Sequence, residues 1–213
     1  RQPGLTHKGD IGTESKAAAA GGITSFMDMP NTVPQAVTRH LLEEKYEMAS
    51  RESCINYSFY IGATNDNVEE LEKADPQKIC GIKVFMGAST GNMLVDNPKS
   101  LDAIFRKSKM LVATHCEDEK IIQHNLKEYQ TKYGDNIPLS SHSAIRSTDA
   151  CYQSSALAVK LATLYNTRLH LLHLSTAKEM ELLGNKKPVY EKRITAEVCV
   201  HHLWFNENDY QEK

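Results

Sequence analysis

Three side chains suited to holding a metal fall where buried strands are expected: Lys83, His115 and His173. Lys83 sits in the middle of the apolar run 80–86, which Gly87 closes, the pattern of a strand buried on both faces of a parallel sheet. A bare ammonium there is costly to desolvate. Two arrangements remove the cost. The lysine pairs with a buried carboxylate, or its neutral amine adds carbon dioxide and becomes a carbamate whose two oxygens can bridge two divalent metals. His115 and His173 each end an apolar run, and imidazole nitrogen with carboxylate-like oxygen suits zinc. A lone strand-end histidine is as readily a satisfied structural residue, so the argument rests on the three together.

Other polar residues are weighed against that trio. His170 has the opposite strand parity from His173 and is expected in the core, and Cys116 is expected to be a buried thiol facing away from His115. Asn31 and Arg1 are candidates for substrate contact, because an amide both donates and accepts and a guanidinium grips a carboxylate with two parallel hydrogen bonds. As local features they also fit a turn-stabilising amide and a surface arginine. Glu197, His201 and His202 are candidates for groups behind the metal ligands or for a third metal. His7, His40, His124 and His142 are expected to be solvated.

The elements that must position these residues alternate regularly. Alanines 17–20 stopped by Gly21-Gly22 predict a helix, followed by a strand over 23–27 and a loop broken by Pro30 and Pro34. Further strands are predicted over 57–61, 80–86, 110–114, 168–174 and 194–200. Helices are predicted over 38–50, 65–73, 101–107, 120–132 and 148–165, with another opening at Thr176, whose spacing to Glu179 fits a capping box. Six strands separated by helical segments predict a parallel sheet with right-handed crossovers. The polar residues gather at strand C-termini, as they do in a (β/α) barrel, and no glycine-rich phosphate loop follows any strand. The expected fold is an α/β, partial (β/α)8 TIM-type barrel forming one incomplete domain over 1–213.

Composition narrows the partners. With 213 residues, 40% hydrophobic and 24% charged, the chain can bury a sizeable core. A net charge of -2 offers no basic field for nucleic acid or an anionic membrane, and no apolar run reaches bilayer length. The expected partners are a small-molecule substrate and further protein chains, copies of this one included. Five scattered cysteines without a CxxC pair suit reduced thiols, and a cytoplasmic location is expected.

Several stretches, in order, carry a resemblance. Arg1-Gln2-Pro3-Gly4, Gly21-Gly22-Ile23-Thr24-Ser25, Asp28-Met29-Pro30-Asn31-Thr32, Gly81-Ile82-Lys83-Val84-Phe85, Thr114-His115-Cys116-Glu117, Leu171-Leu172-His173-Leu174-Ser175-Thr176 and Ala196-Glu197-Val198 through His201-His202-Leu203 resemble the dihydroorotases of the cyclic amidohydrolase group. The resemblance implies that Lys83 is a carbamylated ligand bridging two Zn2+ ions, with carbon dioxide supplying the carbamate. It implies that His115 and His173 bind one of those ions, and that Arg1 and Asn31 hold the substrate carboxylate. The implied reaction is reversible opening of dihydroorotate to N-carbamoyl-aspartate in pyrimidine biosynthesis.

Two departures qualify it. The family's His-x-His pair ends two residues before the arginine matched by Arg1, and its catalytic aspartate lies on an eighth strand beyond the matched C-terminus. The expectation is therefore strands two to seven of the barrel, with no catalytic residue of its own and no turnover by itself. A hydantoinase or allantoinase shares the bridging lysine and is the alternative enzyme. A non-catalytic relative kept as a scaffold is the alternative of another class.

Overall fold

Why the chain alternates strand and helix is visible at the start of each long helix. A computed structural model describes residues 1–87 and 91–211; the part of the Lys83 stretch beyond Gly87, through Thr90, lies outside the described residues. Asp10 caps α1 (Ile11–Ala20) by accepting a hydrogen bond from Thr13 N at 2.6 Å, and Thr38 caps α2 (Arg39–Glu52). The short α3 (Val68–Glu72) is followed by α4 (Pro98–Lys107), which has Asn97 as its cap and proline in its first turn. Asp118 caps α5 (Glu119–Tyr133) through two backbone N–H groups. After α6 (His142–Ile145), Ser147 caps α7 (Thr148–Tyr165), which ends at Asn166 in the left-handed conformation. The last helix is α8 (Val200–Trp204).

Between them run β1 (Ser25–Asp28), β2 (Asn56–Gly62), β3 (Gly81–Phe85), β4 (Val112–His115), β5 (Leu169–Leu171) and β6 (Ile194–Ala196), in the sheet order β1-β2-β3-β4-β5-β6. The chain divides into two compact units whose boundary falls inside two strands, between Val84 and Phe85 and between Val112 and Ala113. In the first unit β1 pairs parallel with β2, and β2 parallel with β3 in a register that sets Ile61 opposite Ile82 and Gly62 opposite Lys83. Its core is Phe59, Ile61, Ile82, Val84, Ile104 and Phe105, all buried. In the second unit β5 pairs parallel with β6, and the buried Ala150, Ala158 and Ala162 of α7 have side chains small enough to let that helix pack closely.

One buried cation in the first unit was not expected from the sequence. Lys45 on α2 is 1% exposed; its Nζ donates to Asp28 Oδ2 at 2.6 Å and to Met29 O at 2.9 Å, and lies 4.9 Å from the centre of the Phe59 ring. Burial pushes this ammonium below its ordinary value, and the Asp28 charge and hydrogen bond offset that only in part. The pair therefore ties α2 to the end of β1 and to the loop that carries Asn31. Lys45→Met is expected to lower stability by about 2 kcal/mol, less than the 3–5 kcal/mol of a fully buried pair, because Asp28 keeps 28% of its side chain exposed and can rehydrate. Urea unfolding of the two proteins measures this; an unchanged midpoint would show that the pair does not hold the loop.

Four expectations need correction. The predicted strand over 168–174 is only Leu169–Leu171, and His173 lies two residues beyond it with φ 40°. His170 is not in the core: it is half-buried, with Nδ1 2.8 Å from Thr195 Oγ1 and Nε2 3.2 Å from Glu197 Oε2. The predicted strand over 194–200 stops at Ala196, so His201 and His202 lie on α8. Thr176 does bond Glu179, at 2.8 Å, but through the two side chains, and the element there is a short 3-10 turn (Lys178–Leu182) with no side-chain cap. Among the described residues no helix is long and apolar enough to cross a membrane.

Candidate metal and substrate site

The end of β4 and the turn after it place the first imidazole. Met86 N donates to His115 O at 2.9 Å, which fixes the backbone at this strand end. The chain then passes so close to Gly87 that a Cβ there would meet Glu117 O at 2.2 Å, so only glycine fits. Glu117, two residues on and 6% exposed, accepts a bidentate contact from Arg146, with Nε to Oε1 at 2.7 Å and Nη2 to Oε2. Arg146 is itself held in place, since Asn125 Nδ2 donates to Ile145 O at 3.1 Å and the capped start of α7 follows directly. Burial pushes the Glu117 carboxyl up, but the hydrogen bonds from His115 and Arg146 and the Arg146 charge outweigh it, and the group is held below the usual glutamate range.

That carboxylate sets the imidazole tautomer. Glu117 Oε2 lies 2.8 Å from His115 Nε2, so this nitrogen donates and the Nδ1 lone pair is left to ligate. His115 Nδ1 in turn lies 3.3 Å from His173 Nε2, with the ring centres 5.0 Å apart. The left-handed backbone at His173, uncommon for a residue other than glycine, swings its ring toward His115. Leu172 N bonds Thr114 O at 3.0 Å, and Leu174 N bonds Glu197 O at 2.8 Å, so the turn is fixed on both sides. The two rings border a cavity of about 130 Å³ that Glu117, Cys151, Glu179 and His202 also line.

The donor set fits zinc. Two nitrogens each about 2.0–2.1 Å from one tetrahedral ion stand roughly 3.3 Å apart, and the observed separation is 3.3 Å. The Arg146–Glu117–His115 relay is the kind of outer hydrogen bonding that orients an imidazole ligand.

Lys83 is described within the first unit. It is 2% exposed on β3, its carbonyl accepting from Ala63 N at 2.9 Å. Arg1 and Asn31 lie in the same unit, on two loops fastened to each other. Val33 N donates to Pro3 O at 3.1 Å, Thr32 is buried and bonds Pro34 O at 2.8 Å, and Gly4 has φ 83° and lies so close to Val33 that a Cβ there would meet Val33 O at 2.3 Å. Arg1 is exposed and Asn31 half-buried. The structure thus brings His115 to His173 and the Arg1 loop to the Asn31 loop.

Two members of this constellation were missed. Glu117 follows His115 by two residues, which puts it on the same side of an extended chain, so sequence alone could have pointed to it. Arg146 comes from a loop 29 residues on and left no local signal. Cys116 is half-buried, 3.2 Å from Thr114 Oγ1 and 3.9 Å from Met86 Sδ. Glu197 faces His170, away from the expected role behind the metal ligands.

The chain is similar to several known proteins. No protein-family model matches the chain. A dihydroorotase of Methanosphaera stadtmanae is 29% identical over 215 residues, covering 99% of this chain and 47% of that protein. A dihydroorotase of Methanosarcina acetivorans is 32% identical over 224 residues, covering 99% and 46%. An allantoinase of Streptomyces avermitilis is 31% identical over 210 residues, covering 94% and 45%. Among solved structures, the L-hydantoinase (dihydropyrimidinase) from Arthrobacter aurescens superposes with a TM-score of 0.84 at 24% identity over 94% of this chain and 45% of its own. An inactive dihydroorotase-like domain of a Chaetomium thermophilum CAD-like multifunctional protein does so with a TM-score of 0.65 at 19% identity, over 95% and 50%. The chain thus spans about half the length of the curated relatives it matches. By sequence along nearly all its length the chain is similar to proteins named dihydroorotase and allantoinase, and its fold matches part of an L-hydantoinase.

Proposed function

We propose that residues 1–213 form the strand-two-to-seven part of one dihydroorotase barrel domain, in a cytoplasmic enzyme that opens the cyclic amide of dihydroorotate reversibly. The observation that carries this reading is the 3.3 Å approach of His115 Nδ1 to His173 Nε2, backed by the Glu117–Arg146 pair. His115 and His173 would hold one zinc ion through those nitrogens. Lys83 would add carbon dioxide, its amine nitrogen forming the new N–C bond and releasing a proton, and the resulting carbamate oxygens would serve two zinc ions. Zinc, when bound, supplies Lewis-acid activation of water and of the ring carbonyl. Glu117 keeps His115 in the ligating tautomer, and Arg1 with Asn31 binds the ring carboxylate and so orients the amide for attack.

A second reading, allantoinase, is favoured by the 31% identity to the Streptomyces avermitilis protein, which does not separate it from the dihydroorotases. Substrate chemistry separates them. Dihydroorotate carries a ring carboxylate and allantoin does not, so a cation and a neutral donor at that position favour the first. The test is a chain completed by the flanking strands of the Methanosarcina acetivorans relative, assayed with and without zinc on dihydroorotate, hydantoin and allantoin. Zinc-dependent turnover is expected with kcat/KM at least about tenfold higher for dihydroorotate, the low end of what a charge-assisted bidentate contact contributes. The 213-residue chain alone is expected to be inactive. Preference for allantoin or hydantoin would move the assignment to that substrate.

A further inference from the structure

A second cluster of ligating side chains lies outside the His115/His173 pair. Cys199, His201 and His202 each place one ligand atom so that all three lie within 4.8 Å of one another, and among the described residues this is the group of three or more that meets that condition. The local fold makes the arrangement. Cys199 occupies the cap position of α8, and His202, three residues on, comes back over it as its N–H bonds Cys199 O at 3.0 Å. His201 is the next position around the turn, and its ring meets that of His202 edge-on with centres 4.3 Å apart.

A second observation points the same way. His202 Nδ1 lies 3.1 Å from Leu174 O, and a carbonyl can only accept, so Nδ1 carries the proton and the Nε2 lone pair is left over. That is how proteins set a histidine for metal, with one ring nitrogen on a backbone carbonyl and the other on the ion. Leu174 is itself pinned, through its N–H, to Glu197 O on the next strand. Cys199 and His202 are half-buried and His201 is exposed, so an ion can reach the cluster from solvent.

We infer that Cys199, His201 and His202 form a binding site for a divalent d-block ion of the zinc type, separate from the His115/His173 pair. Thiolate with two imidazoles is a donor set for zinc or cobalt and a poor one for magnesium or calcium. Around a tetrahedral ion with bonds of about 2.0–2.3 Å the donors stand roughly 3.3–3.8 Å apart, so the cluster has to draw in by about an ångström. Rotation of the exposed His201 side chain can supply that. Three protein donors leave the fourth position to water. Binding replaces the thiol proton of Cys199 with the metal, so affinity rises with pH.

Cobalt(II) distinguishes this site from the other because only this one has sulfur among its proposed donors. Two of the other thiols compete poorly, since burial pushes Cys80 up to about 11 and Cys151 up to about 12. Titration of the purified protein with cobalt(II) is expected to give a thiolate-to-cobalt charge-transfer band that saturates at one ion on this cluster. The band should survive His173→Asn, Cys54→Ser and Cys116→Ser, vanish in Cys199→Ser, and need more than roughly a hundredfold more metal in His201→Asn or His202→Asn, beyond what losing an outer hydrogen bond costs. Zinc should also slow alkylation of Cys199 in the unmodified protein, read by peptide mass spectrometry, which needs no variant to fold. Absence of the band, its persistence in Cys199→Ser, or alkylation of Cys199 at the same rate with and without zinc would each overturn the site. None of these readouts depends on turnover, so the dihydroorotase reading stands or falls separately.

Discussion

Lys83→Ala, in a chain completed to a full barrel, is expected to lose the metal pair that the dihydroorotase proposal assigns to it and with it more than about a hundredfold in kcat/KM, beyond the 10–100-fold cost of removing an outer-shell partner. The expectation follows from the position. Lys83 is 2% exposed on β3, opposite Gly62 of β2, in a run whose other side chains have no oxygen to offer. A bare ammonium held there is expensive, and a carbamate changes its charge and gives it two ligating oxygens at once. Lys83→Arg should fail as well, since guanidinium stays protonated and cannot add carbon dioxide. Metal analysis checks both variants. Two tightly bound zinc ions in the alanine protein would make Lys83 a core lysine with an ionic partner. Partial recovery of the alanine protein by a short-chain carboxylate, which can occupy the vacated space and offer the same two oxygens, would strengthen the carbamate assignment.

The alternation of strands and helices was legible because each of the five long helices opens on a side chain that caps it and most strands are short apolar runs. Asp10, Thr38, Asn97, Asp118 and Ser147 all cap as their types suggest. Strand ends were less legible, because a strand needs a partner as well as propensity. Residues 194–200 alternate like a strand, yet β6 stops at Ala196. Its neighbour β5 has already ended at Leu171, and the left-handed turn at His173 carries that chain away, so beyond Glu197 there is little left to pair with. The same turn spoiled the parity argument that sent His170 to the core.

The site was legible where one residue type carries the signal and illegible where distant residues meet. His115 and His173 could be picked because histidines end apolar runs. Arg146 could not, because nothing in its own loop shows that it grips a carboxylate beside a histidine 31 positions earlier in the chain. Lys45 was hidden in another way. It stands in Arg39-His40-Leu41-Leu42-Glu43-Glu44-Lys45, a charge-rich helix whose lysines are ordinarily solvated, and only its meeting with Asp28 shows that this one is buried.

The metal ligands proposed for the dihydroorotase and allantoinase readings are the same and cannot choose between substrates, so the last expected result concerns the carboxylate. Arg1→Met in the completed chain is expected to lower kcat/KM for dihydroorotate by about ten- to a hundredfold, because a charge-assisted bidentate contact is worth roughly 1.5–3 kcal/mol. Zinc content should not change, because Arg1 is exposed on a loop and is no ligand. The loop is well placed for the task. The Val33 N to Pro3 O bond and the close packing at Gly4 tie it to the Asn31 loop, so a guanidinium and an amide can be offered to one ligand from a fixed base. Methionine keeps the length and apolar stem of arginine and removes only the charged fork, which leaves loop packing intact. A neutral substrate such as hydantoin should then be turned over no worse than by the parent protein, and the ratio of the two rates is the measurement that counts. If the ratio does not move, Arg1 does not read the carboxylate, and the allantoinase reading, which needs no such cation, takes its place.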